Sequence, residues 1–123
     1  MLPFFYGDIS EPVIIVVREY IDEAGRNPFG TWFATLDSTA AVRVTVALER
    51  ISQGQRAAMK GVGEGVLEYK IDFGPGYRVY FGKDGDRLVI LVGGGTKKRQ
   101  DRDIAAAKRA WKDYKRRKRA EGE

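Results

Sequence analysis

Apolar residues change their spacing several times along this chain, and each change marks an element. Val13-Ile-Ile-Val-Val17 is β-branched throughout and predicts a strand buried on both faces, continuing toward Ile21. Asn27-Pro28 reads as a helix start, a capping side chain followed by proline in the first turn. Phe29, Trp32, Phe33 and Leu36 then fall on one helical face. Asp37-Ser38-Thr39 supplies a second cap, after which Ala41, Val44, Leu48 and Ile51 keep helical spacing until Gly54. Two helices with so short a link predict a helical hairpin. Residues 55–64 read as a polar, glycine-rich loop.

From Val66 the period switches to two. Leu67, Tyr69, Ile71 and Phe73 alternate with Glu68, Lys70 and Asp72. Gly74-Pro75-Gly76 turns the chain, and Tyr77, Val79 and Phe81 alternate with Arg78 and Tyr80. A loop of three residues places Phe73 opposite Tyr77, Asp72 opposite Arg78 and Lys70 opposite Tyr80. Asp84-Gly85 makes the next turn into Arg87-Leu-Val-Ile-Leu-Val92, apolar on both faces and so expected to be central or covered on both sides. Gly93-Gly94-Gly95 is expected to end that strand. A last helix begins near Asp101, with Ile104, Ala107, Trp111 and Tyr114 on its core side and basic residues elsewhere. The order β-α-α-β-β-β-α predicts an α+β fold: a mainly antiparallel four-stranded sheet, a helical hairpin on one face and a C-terminal basic helix. Residues 1–123 form one domain in this scheme, with 1–12 an N-terminal extension and 115–123 a frayed basic tail.

Composition narrows the chemistry. The 123 residues include neither cysteine nor histidine, so thiolate catalysis, disulfides and imidazole acid–base chemistry are excluded. Proton transfers would have to run through Lys, Tyr, Asp, Glu or water. Net charge is +5, but residues 97–119 alone carry 12 basic and 3 acidic side chains, which suggests a polyanion or an acidic protein as partner. No apolar run approaches the roughly 20 residues of a membrane span, and the opening Met-Leu-Pro-Phe-Phe-Tyr-Gly-Asp lacks signal-peptide features. A cytoplasmic protein without a membrane partner is expected.

On the hairpin's polar side Lys70, Asp72, Arg78 and Tyr80 gather two cations, a carboxylate and a phenol. Because the other side is apolar, the helical hairpin is expected to cover that side and leave the polar one open. The cluster reads either as a solvated face with a cross-strand ion pair or as a phosphate-binding surface. The segment Gly93-Gly-Gly-Thr-Lys97-Lys98-Arg99 could hold an anion near a helix start, or could simply connect strand to helix.

Several stretches together resemble a known family. They are Gly25-Arg-Asn-Pro-Phe29 with Trp32, Leu48-Glu-Arg50 with Gly54, Lys60-Gly-Val-Gly-Glu-Gly65, Gly74-Pro-Gly-Tyr-Arg-Val-Tyr-Phe-Gly82, and Gln100 with Asp103-Ile104. Over residues 13–114 they are similar to the phage-derived Gp49-like, HigB-type killer proteins of the RelE/ParE toxin superfamily. The resemblance implies a RelE-like fold and a toxin that cuts mRNA, often on the ribosome. A helix-turn-helix antitoxin of the HigA kind, encoded beside it, would neutralise it. The implied chemistry needs no metal or cofactor: a ribose 2′-OH attacks the adjacent phosphate. In that scheme Arg78 clamps the scissile phosphate, Lys70 steadies it or assists proton transfer, and Lys97 stabilises transition-state charge or acts as acid. Lys60, Lys98, Arg99 and Arg102 bind RNA. Thr96 stands where relatives carry aspartate, and the C-terminal segment offers no aligned tyrosine, leaving Tyr80 a substitute by position and Asp72 a poor base beside Arg78. A ParE-like gyrase poison of the same fold and a non-catalytic nucleic-acid-binding module are the alternatives.

Overall fold

The computed structural model describes residues 14–56 and 58–122. The expected extension 1–12 and the first residue of the expected first strand, Val13, lie outside them. The elements are β1 (Val16–Glu19), α1 (Pro28–Phe33), α2 (Ser38–Ser52), β2 (Met59–Gly63), β3 (Val66–Ile71), β4 (Tyr77–Lys83), β5 (Leu88–Thr96), a 3₁₀ turn (Lys97–Arg99) and α3 (Gln100–Gly122). They build an α+β fold around a five-stranded mixed sheet ordered β1-β5-β4-β3-β2.

Both helix starts form as their caps dictate. Asn27 accepts from the Gly30 amide at 2.8 Å, and Asp37 from the Ala40 amide at 2.8 Å. With α1 and α2 placed, Phe29, Val44, Ala47 and Ile51 meet Tyr69, Val79, Phe81, Val89 and Leu91 on one face of the sheet. On the other face Ala107, Ala110 and Trp111 of α3 pack over Val66, Tyr80, Ile90 and Val92. Trp111 and Tyr114 therefore belong to the core, stacked with centroids 5.3 Å apart. β5 is an interior strand between β1 and β4 and is covered on both sides, as its continuous apolar run predicts.

Four expectations about the sheet's strands need correction. The sheet has five strands, because Met59–Gly63, expected as loop, pairs with β3. Its glycines mask the strand pattern, and the link to β3 is a two-residue turn in which Glu64 and Gly65 both take positive φ (55° and 85°). β1 is an edge strand running parallel to β5, with Val16 42% exposed, rather than a strand buried on both faces. Gly93–Gly95 do not end β5, which runs on to Thr96. Two of them are strand glycines because helices press on the backbone: a Cβ at Gly94 would overlap the Trp32 ring, and one at Gly95 the Asp103 carboxylate.

The register of the β3–β4 hairpin is the fourth. Lys70 faces Arg78, Glu68 faces Tyr80 and Ile71 faces Tyr77, so the pairing is shifted by two residues from that expected. Phe73 leaves the ladder to lie beneath the Arg43 guanidinium, 4.3 Å from its ring centroid, and stacks near Tyr77. Asp72 is thereby carried into the turn, away from Arg78. A shift of two preserves side-chain parity, so Lys70, Arg78 and Tyr80 still share a face.

Candidate phosphate-binding site

That shared face is not open. α3 crosses it, leaving Tyr80 0%, Glu68 1% and Arg78 5% exposed. Two rows of side chains run across the strands here. Lys60, Glu68 and Tyr80 form one, and Lys70 and Arg78 the next. At the end of the second row the Gly76 carbonyl accepts from Arg78 Nη1 at 3.1 Å and from the Lys97 backbone amide at 3.0 Å, so the strand arginine's guanidinium and the post-strand backbone share one oxygen.

Glu68 is the hub. Gln100 Nε2 at the start of α3 donates to its Oε2 at 2.8 Å, Arg78 Nε lies 3.6 Å from the same oxygen, and Lys60 Nζ lies 3.8 Å from Oε1. Arg78 Nε has no hydrogen-bond acceptor, so the Arg78–Glu68 link is ionic. The Tyr80 hydroxyl is also buried without a partner. Burial, then the neighbouring Glu68 charge, raises its pKa well above the ordinary 10.0, which keeps the phenol protonated.

Around this buried centre the cations are exposed: Lys60 on β2, Lys70 on β3, Lys97, Lys98 and Arg99 on the 3₁₀ turn, and Arg102 on the first turn of α3. Asp72 stands apart, its side chain 86% exposed and 3.5 Å from Lys70 Nζ. Asp103 sits against Gly95, the residue paired with Arg78. Burial raises its carboxyl above the ordinary 3.8, with Arg102 and Arg99 opposing the shift.

Lys60 and Arg78 thus share Glu68, Lys70 stands beside Arg78 with its ammonium toward Asp72 at the rim, the Lys97 backbone meets Arg78 at Gly76, and Tyr80 lies beneath without reaching solvent. Glu68 was not singled out from the sequence. Its parity with Lys70 was visible, but its burial depends on where α3 crosses. Gln100 and Asp103 drew notice only through family resemblance.

A small α+β domain with two helices on one side of a mixed sheet, a long basic helix on the other and cations converging at one end defines the class. The chain belongs to the family described as "Phage derived protein Gp49-like (DUF891)", whose model matches residues 31–115, and with it to the RelE/HigB-like toxins. A Haemophilus influenzae protein described only as uncharacterized is 38% identical over 81 residues, which covers 65% of this chain and 82% of that protein. This family is consistent with the toxin of a toxin–antitoxin pair. Among the described residues no helix is long and apolar enough to cross a membrane.

Proposed function

We propose that the protein is the toxin of a toxin–antitoxin pair and cuts mRNA, on the ribosome, without a metal. The observation that carries this is the Arg78 guanidinium and the Lys97 backbone held at the same Gly76 carbonyl, which fixes the lysine-bearing turn beside the arginine, with Lys70 paired to Arg78 on the adjoining strand. Cations brought to bear on one phosphate would favour a dianionic phosphorane over a singly charged phosphodiester, which is the differential that lowers a barrier. Arg78 is too deeply set to grasp RNA from solution, so it acts as a fixed charge beneath the phosphate, while exposed Lys97 and Lys70 touch it.

The step balances without a cofactor. The ribose 2′-OH gives its proton to a base, its oxygen bonds to phosphorus, and the 5′ oxygen of the next nucleotide leaves with a proton. The products end in a 2′,3′-cyclic phosphate and a 5′-hydroxyl. Asp103, whose pKa is pushed up by burial, suits the base better than exposed Asp72. Lys97 suits the acid. Lys60, Lys98, Arg99 and Arg102 hold flanking RNA, and a helix-turn-helix antitoxin masks the site in the cytoplasm.

Translating ribosomes incubated with the protein are expected to yield new mRNA ends carrying 5′-hydroxyls. Lys97→Ala should slow their appearance about 100-fold or more, the scale of losing one stabilising charge. Absence of cuts together with inhibited gyrase would overturn this in favour of the non-nuclease toxin.

A further inference from the structure

Helix α3 carries a basic surface that starts at Arg102 of the candidate site and runs on well beyond it. With the core side of α3 set by Ala107, Ala110 and Trp111, the 3.6-residue period puts Arg102, Arg109, Lys112, Arg116 and Arg119 on the outward side. All five are exposed. Arg102 and Arg119 lie about 26 Å apart along the axis at 1.5 Å per residue.

Some of the helix's cations are already paired. Lys108, Arg116, Arg117 and Lys118 are held by Glu64, by Glu23 and Asp113, by Asp113, and by Asp84. Among the described residues Arg102, Arg109, Lys112, Lys115 and Arg119 have no carboxylate within 4.0 Å. Lys108 and Lys112, Lys112 and Arg116, and Lys115 and Arg119 stand four residues apart, a spacing at which like charges destabilise an isolated helix. Four of the five outward cations, Arg102, Arg109, Lys112 and Arg119, are thus left without a carboxylate partner among the described residues, and a row of this length calls for an anionic partner of similar length.

The same face indicates which polyanion. Among the described residues the exposed large apolar side chains are Ile14, Val16, Ile21, Val42 and Val46, none of them on α3. A protein partner would find no apolar anchor there. Unpaired bases would find no stacking platform either, because Trp111 and Tyr114 face the sheet. What remains is recognition of a regular phosphate backbone. The row begins at Arg102, beside the Lys97–Arg99 turn, so it is continuous with the candidate RNA site.

We infer that the outward face of α3 is a docking surface for base-paired RNA, separate from the site of cleavage. The surface holds a folded RNA through its backbone while the other end of the helix faces the strand to be cut. Binding here does not depend on the nuclease assignment and can be measured without turnover.

The test is titration of the intact protein with a 20-base-pair RNA duplex, the unpaired strand of equal length and a DNA duplex, across 50–200 mM salt. The RNA duplex should bind more tightly than the single strand, with a log–log salt slope of about 4 for the row. Arg109→Gln with Lys112→Gln should lower that slope by about two and weaken duplex binding roughly 30-fold at 0.15 M salt, the effect of two counterions no longer released. Arg50→Gln with Arg56→Gln removes the same charge elsewhere and should leave the slope unchanged. An unchanged slope in the α3 variant, an equal loss in the Arg50/Arg56 variant, single-strand binding as tight as duplex binding, or tighter binding of DNA would each overturn the proposal. Failure of mRNA cleavage with duplex binding intact would count against the nuclease reading alone.

Discussion

Beneath α1 and α2 the sheet buries Phe29, Val44, Ile51, Val79, Phe81 and Leu91, whereas beneath α3 the same strands bury Glu68 and Arg78 beside Tyr80. One face is apolar from end to end. The other is apolar where Trp111 lies and ionic where α3 begins. Hydrophobic burial alone would have served both, since a buried ion pair recovers its desolvation cost poorly and is weak evidence for stability. Its presence at the end where Lys60, Lys70 and Lys97 gather marks that end as built for charge rather than for packing.

Removing one partner of the pair should have the largest effect. Glu68→Leu leaves Arg78 buried and uncompensated, and is expected to lower the unfolding free energy by about 3–5 kcal/mol in urea denaturation. Glu68→Leu with Arg78→Met should regain most of that loss while cleavage stays absent. A single substitution costing under about 1 kcal/mol would mean that the pair is effectively solvated, and the contrast between the faces would fall.

On the apolar face the expected cost is similar in size but different in kind. Ile51→Ala opens a cavity and should cost about 2–5 kcal/mol. Cleavage and duplex binding per folded molecule should not change, because Ile51 touches nothing on the α3 side. Activity falling faster than the folded fraction would show that the two faces are coupled.

This contrast was half legible in the sequence. The apolar face is written in a single strand period and two helical ones, with caps at Asn27 and Asp37, and local rules of this kind survive folding. The α3 face depends on distant choices. Gly93–Gly95 look like a strand break until Trp32 and Asp103 are found pressed against them, and Glu68 looks like a surface carboxylate until α3 crosses it. The hairpin register moved by two, with Phe73 out of the ladder beneath Arg43, a partner that no hairpin rule names. Parity survived that shift, which is why Lys70 and Arg78 could be picked out together while Asp72 was wrongly set against Arg78.

The smallest expected effect separates the two ends of α3 itself. Toward its C-terminus Asp113 accepts from the Tyr20 hydroxyl at 2.5 Å and from Arg116 and Arg117, and these hydrogen bonds lower its pKa from 3.8 to about 2. The stability it adds is complete above 3.8 and lost as pH falls through about 2. At the other limb, burial and then Asp113 raise Tyr20 to about 12, and burial and then Asp84 raise Tyr114 to about 12. Their contributions are full below 10 and fade as pH rises through about 12. Asp103, at the site end, has the opposite sign: its pKa is raised by burial, so it favours the folded state below 3.8 and that contribution disappears as pH climbs through its folded value. Asp113→Asn should therefore flatten the fall of melting temperature between pH 4 and 2, while Asp103→Asn should raise the melting temperature slightly at pH 7. Both shifts should be smaller than those of the core substitutions, because neither carboxylate is fully shielded from solvent. If the two variants moved the acid limb in the same direction, the helix would not divide into a fastened end and a charged working end.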